Sequence, residues 1–201
     1  MNLQLAEHAA RRLVALRDRA IVAVDGVDGA GKTTFADVLA NHLEKLGRPV
    51  TRASVDGFHN PANVRYARGR NSPQGFYLDS YDYDGLRESL LDPFRNGHLK
   101  VLASLFDHEI DDAKRVWKSA PPTALLVLDG IFLHREELLH QWDFSIFLSV
   151  PFAVSYARMA QRDGCDPDPH ADGNSRYYQG QLLYHRECDP ETRANLVITD
   201  W

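Results

Sequence analysis

Residues 21–33 read Ile21-Val22-Ala23-Val24-Asp25-Gly26-Val27-Asp28-Gly29-Ala30-Gly31-Lys32-Thr33. The first four form a short β-branched run of the type that builds a strand covered on both faces. The last eight fit G-x-x-x-x-G-K-[ST], and Thr33–Leu46 carries a helical pattern closed by Gly47 and Pro49. A buried strand, a glycine-rich turn and a helix, in that order, make a phosphate cradle. The glycines let successive backbone N–H groups wrap a β-phosphate at the positive end of the helix. Gly26, Val27, Asp28, Gly29, Ala30, Gly31, Lys32, Thr33 and Thr34 are therefore the expected ATP-binding residues. Lys32 is expected to reach the β- and γ-phosphates, and the Thr33 hydroxyl to ligate Mg²⁺.

Outward from the cradle, strands and helices alternate. Residues 3–19 place Leu3, Ala6, Ala10, Leu13 and Leu16 at helical spacing. This is a packing helix whose face also suits a homodimer. Val50–Val55 reads as a second strand, and residues 57–80 as a long functional loop. Asp82–Leu91 reads as a helix stopped by Pro93, Leu99–Phe106 and Leu125–Leu128 as strands, and Leu133–His140 as a short helix. Phe144–Val150 reads as a strand, and Pro151 opens a helix running to about Asp163. Residues 164–174 form a polar, proline-rich loop. Ser175–Glu187 then reads as a helix and Leu196–Thr199 as a last strand. The alternation predicts an α/β fold, a mainly parallel sheet flanked by helices on both faces, with residues 1–201 as one domain.

Composition narrows the function classes. The chain has 201 residues, 44% hydrophobic and 25% charged, with 23 basic residues against 28 acidic and a net charge of −5. Nucleic-acid binders usually carry a basic excess, so no nucleic-acid partner is expected. No apolar run approaches the ~18 residues of a membrane helix, so no membrane partner is expected either. Glu7, His8, Arg11 and Arg12 interrupt any secretory core. Cys165 and Cys188 fit no metal spacing and no disulfide framework. A reducing, cytoplasmic location is the expectation. None of the five lysines sits in an Asn/Thr-Lys-x-Asp guanine-reading segment, and no Leu-Ser-Gly-Gly-Gln transporter signature is present. These absences lean toward a small kinase.

The second strand ends in Ser54-Val55-Asp56-Gly57-Phe58-His59-Asn60-Pro61. In a parallel sheet the carboxyl end of a strand near the cradle faces the triphosphate. An aspartate there can orient and deprotonate an acceptor hydroxyl.

VDGFHNP, the following GFYLDSYDYDGL, Phe106-Asp107-His108, LLVLDGIF, ARMAQRD and RANLVITD together resemble the uridine kinase, phosphoribulokinase and bacterial pantothenate kinase superfamily of P-loop kinases. The resemblance spans about residues 20–200. It implies that Asp56 is the catalytic base and that Asp129, where the family usually has Glu, supports Mg²⁺ directly or through water. It implies a lid over about residues 158–176. Arg158 and Arg162 would there supply charge to the transferring phosphoryl group, and residues 164–174 would be the mobile tip that excludes water.

The sequence departs from the family in the acceptor region. Phe106 stands where uridine kinase has a tyrosine that helps hold the base, Asp111 lies near a histidine place, and Met159 near a ribose-associated arginine. His59, Tyr81, Phe106, His108, Arg176 and Tyr177 are the residues expected around the acceptor together with Asp56. The resemblance implies an ATP- and Mg²⁺-dependent kinase acting on a small-molecule hydroxyl, with a nucleoside as first acceptor. A pantothenate or sugar acceptor, or a regulatory nucleotide-binding ATPase with no small acceptor, are the alternatives.

Overall fold

The computed structural model describes residues 2–201. Five parallel strands form the central sheet in the order β2-β5-β1-β6-β7: β1 (Ile21–Gly26), β2 (Val50–Ser54), β5 (Leu125–Asp129), β6 (Phe144–Leu148) and β7 (Leu196–Ile198). Two further strands, β3 (Lys100–Asp107) and β4 (Asp112–Ser119), pair antiparallel as a separate hairpin. The main helices are α1 (Leu3–Leu13), α2 (Lys32–Lys45), α3 (Pro73–Asp79), α4 (Phe152–Asp163) and α5 (Ser175–Cys188). Among the described residues no helix is long and apolar enough to cross a membrane.

The apolar runs read as buried strands are buried on both faces because alternate residues feed two cores. Val22, Val24, Leu125 and Val127 join Ala6, Ala10 and Leu13 of α1 and Phe35, Leu39 and Leu43 of α2. Ile21, Ala23, Leu126 and Leu128 face the other way, onto Phe58, Phe76, Phe132 and Tyr184. The apolar face of α1 is thus consumed inside the chain, against α2.

Four local expectations are corrected. Leu133–His140 is not a helix; only Leu139–Gln141 makes a 3₁₀ turn. Phe132 has φ +63°, and the N–H groups of Leu133 and His134 donate to the Asp25 carboxylate and the Tyr184 hydroxyl, so no helical ladder starts there. Residues 57–80 are not one irregular loop. They include the Ala62–Arg65 turn and α3, whose first turn is capped by the Ser72 hydroxyl accepting from Gly75 N–H. The helix after Tyr83 is not stopped by Pro93. It widens into a π-turn over Arg87–Leu91 and continues to Arg95, with Pro93 in the first turn of the last piece, where its missing N–H costs least. Strand β4 was not expected at all, because seven of its eight residues are exposed and carry no alternation.

One polar network sits inside the core. Asp25, fully buried on β1, accepts from Gly26 N–H (2.7 Å), Leu133 N–H (3.1 Å), His134 Nδ1 (2.7 Å) and the Tyr184 hydroxyl. It ties the cradle strand to the segment after β5 and to α5. Removing the carboxylate leaves several buried donors unpaired. Asp25→Ala is therefore expected to lower unfolding free energy by about 3–5 kcal/mol. Urea denaturation reads this directly, and an unchanged midpoint would show the network to be idle.

Candidate active site

The site forms along the carboxyl ends of three adjacent strands. Parallel register places Val24 beside Asp129 and Asp129 beside Ser54, so the cradle, Asp129 and Asp56 all emerge at one edge. The cradle runs from Gly26 into α2, with Gly29 at φ +71° and Gly31 at φ +86°. A Cβ on Gly29 would also fall 2.5 Å from the Ser155 carbonyl oxygen, so that position needs glycine twice over.

Lys32 Nζ donates to the Val27 carbonyl at 2.8 Å, folding the lysine back over its own loop. The Thr33 hydroxyl donates to Asp129 Oδ2 at 2.7 Å, and Asp129 Oδ1 pairs with Arg52 Nη2 at 2.9 Å. Asp129 is 1% exposed. These groups suit Mg²⁺, which keeps several waters and binds through one or two oxygen ligands plus phosphate. Thr33 offers a hydroxyl oxygen at the cradle's mouth. Asp129, with one oxygen taken by Arg52, offers a charge close behind it.

A cavity of 160 Å³ lies over the cradle, lined by Lys32, Thr33, Thr34, Asp129 and Arg162 among others. A larger one of 440 Å³ adjoins it. Asp28, Asp56, Tyr81 and Ile131 line both and form their common boundary. Asp56 is exposed there, and Tyr81 donates its hydroxyl to Asp56 Oδ1 at 2.9 Å. Burial, with Asp56 adjacent, pushes the Tyr81 phenol well above its ordinary value, so it stays a donor. Burial likewise holds Asp28 above the usual carboxylate range, against the pull of Lys32. His59 Nδ1 lies 2.9 Å from the Asp56 carbonyl oxygen, and its ring stacks on His108 at 4.3 Å. Burial lowers the His59 pKa, which keeps the ring neutral near pH 7.

The structure brings together Asp56, His59, Tyr81, His108 and Tyr177 on the larger cavity. It does not bring Arg176 and Phe106 there, nor Arg158, expected at the transferring phosphoryl group, to the cavity over the cradle. Arg176 is buried and its guanidinium donates to the carbonyls of Arg65, Gly69, Arg70 and Ser72, which makes it a clamp on the segment before α3. Phe106 lies half-buried on β3, outside the lining of both cavities. Arg158 donates to the Ala30 and Trp201 carbonyls, at 3.3 and 2.7 Å, and so braces the cradle from behind. Arg162 does line the cavity over the cradle, paired with Asp163 at 2.7 Å. Asp111 pairs with Arg65 on the hairpin, whereas Met159 lines the larger cavity.

Residues 164–174 are a chain of turns held by Asn174 Nδ2, which donates to the Asp166 and Asp168 carbonyls. Cys165, Gly173 and Asn174 close one side of the cavity. Sequence reasoning missed Arg52, Phe76, Tyr156 and Asp163. Phe76 and Tyr156 look like core aromatics in a helical pattern, and nothing local marks them as cavity residues.

The profile of the phosphoribulokinase/uridine kinase family matches residues 21–166. The chain belongs to this family. No curated protein matches the sequence. A structure from Bacillus stearothermophilus, provisionally described as a uridine kinase, shares 21% identity at TM-score 0.78 and covers 98% of this chain and 100% of its own. One from Silicibacter sp. TM1040, provisionally described as a fructose transport system kinase, shares 26% at TM-score 0.78, covering 98% and 99%. D-glycerate 3-kinase from Cryptococcus neoformans shares 14% at TM-score 0.56, covering 92% and 87%. The fold is that of the P-loop kinases, and the family is one of kinases.

Within a kinase of this family Lys32 is the side-chain cation of the cradle. Lys32→Ala is expected to leave folding intact and cut turnover by roughly 100-fold or more, the cost of losing one charge-assisted contact in the transition state. Thermal melting paired with an ADP-release assay checks it; near-normal turnover would remove Lys32 from the triphosphate site.

Proposed function

We propose that the protein is an ATP- and Mg²⁺-dependent kinase that phosphorylates a hydroxyl of a neutral, hydroxyl-rich small molecule, a nucleoside in the first instance. One observation carries the choice of acceptor. The 440 Å³ cavity is lined by the carboxylates of Asp28, Asp56 and Asp163 and, among the described residues, by no lysine or arginine. A pantothenate, a glycerate or a sugar phosphate would bring its own negative charge against three acids of which Asp163 alone is ion-paired, with Arg162 at 2.7 Å. A neutral polyol meets acceptors for its hydroxyl hydrogens. Phe76, Tyr81, Tyr156 and Tyr177 supply flat apolar faces suited to a base. A sugar is the second reading, favoured by the 26% identity to the Silicibacter structure. A cavity opening onto the candidate base weighs against an ATPase with no acceptor.

In this reading Lys32 and the cradle N–H groups hold the triphosphate, and Thr33 with Asp129 holds Mg²⁺, which neutralises charge on the β- and γ-oxygens when bound. Tyr81 occupies Asp56 Oδ1 and leaves Oδ2 free to take the acceptor's proton. Arg162 lends positive charge at the cradle's mouth. Residues 164–174 act as a lid. Hydrogen exchange is expected to slow there when an ATP analogue and acceptor bind together; a rate unchanged by any ligand would show a fixed surface loop.

Asp56→Asn keeps the shape and the Tyr81 contact while removing the base. Acceptor phosphorylation is expected to fall about 10²–10⁴-fold with nucleotide affinity unchanged. Calorimetry with an ATP analogue and mass spectrometry of a mixed acceptor pool test both halves. Loss of nucleotide affinity would make Asp56 a metal or structural residue. Preferential phosphorylation of an anionic acceptor would contradict the acceptor reading.

A further inference from the structure

We propose that Trp201 and Arg158 are positioning residues for the triphosphate, a role that rests on the reading of residues 26–34 as the ATP cradle. Together they hold two cradle carbonyls away from the phosphate side and so set nucleotide affinity from behind the loop.

A phosphate cradle works only while its N–H groups face the anion. Its carbonyl oxygens must then face the other way and find donors there. Three successive residues of this cradle are backed in that manner. Gly29 lies so close to α4 that a Cβ there would fall 2.5 Å from the Ser155 carbonyl oxygen and 2.7 Å from Met159 Cγ. The Ala30 carbonyl accepts from Arg158 Nη1 at 3.3 Å. The Gly31 carbonyl accepts from Trp201 Nε1 at 3.2 Å, besides the Phe35 N–H of α2 at 2.9 Å. Arg158 Nη2 in turn donates to the Trp201 carbonyl at 2.7 Å, which makes one brace of the two side chains. Trp201 is 4% exposed, and its ring meets that of fully buried Phe35 edge to face at 5.0 Å. The indole occupies the space Gly31 leaves by lacking a side chain, since a Cβ there would lie 2.9 Å from Nε1. Gly31 holds φ +86°, and glycine leaves such a conformation readily unless its surroundings fix it. Neither Trp201 nor Arg158 lines the cavity over the cradle or the larger one, so both act through the backbone they hold.

Calorimetry with a non-hydrolysable ATP analogue and with inorganic tripolyphosphate, each with Mg²⁺, tests this on the full chain. Trp201→Phe keeps a ring against Phe35 and deletes the donor to Gly31. It is expected to weaken both ligands by the same factor, about fivefold, the net worth of one hydrogen bond. Arg158→Gln is expected to weaken both at least as much, and Arg158→Lys to recover part of the loss. The double variant is expected to lose less than the product of the single losses, because the two residues share a contact. In turnover, KM for ATP is expected to rise while KM for the acceptor holds. A merely structural pair would lower the melting temperature and leave the affinity of the folded protein unchanged, which overturns the brace. Failure of both single variants to fold overturns it in the same way. Loss of affinity for the ATP analogue with tripolyphosphate unaffected would make Trp201 a base contact and overturn it too. If the wild-type chain binds neither ligand, the cradle reading falls and the brace with it; wild-type binding matched by the variants removes the brace alone.

Discussion

The hydrogen bond from the Thr33 hydroxyl to Asp129, backed by the Arg52–Asp129 ion pair, is the contact on which the site depends. It joins the start of α2 to the end of β5 and, through Arg52, to β2. Three segments distant in sequence are thereby held at one sheet edge. The arrangement works because the strands are parallel and adjacent, so their carboxyl ends share one rim. A buried carboxylate is costly unless paired, and Asp129 is paired on both oxygens. The cradle is consequently set before any nucleotide arrives.

The fate of the arginines separates the cavity over the cradle from the larger one. Arg176, Arg158 and Arg19 spend their guanidinium groups on backbone carbonyls, and Arg65 divides its own between a carbonyl and Asp111. Arg162 remains at the cavity over the cradle. The larger cavity is left with acids, imidazoles and aromatic rings. In the proposed reading, charge distribution more than cavity shape selects the acceptor.

Much of this was legible in the sequence because it rests on local patterns. The Ile21–Val24, Leu125–Leu128 and Phe144–Leu148 runs are strands because both faces of the sheet are covered, and the glycine spacing of residues 26–31 marks the cradle. Asp56 was singled out by the family resemblance of VDGFHNP, since a strand-end Asp-Gly by itself reads equally as a turn. The rest depends on tertiary partners. Leu133–His140 has helical spacing, yet Asp25 and Tyr184 claim its first N–H groups. Arg158 and Arg176 look like free cations until the carbonyls that hold them are seen. Tyr156 reads as a core tyrosine, and only its place on the larger cavity distinguishes it.

The central claim is that the cavity bounded by Asp28, Asp56 and Tyr81 receives the acceptor. A crystal structure with a non-hydrolysable ATP analogue and an acceptor that the protein phosphorylates tests it most directly. The account predicts the analogue's γ-phosphate over Lys32 and Thr33, with the acceptor between Phe76 and Tyr156 and one hydroxyl within hydrogen-bond distance of Asp56. An acceptor bound elsewhere, or a nucleotide base filling that cavity, would contradict it.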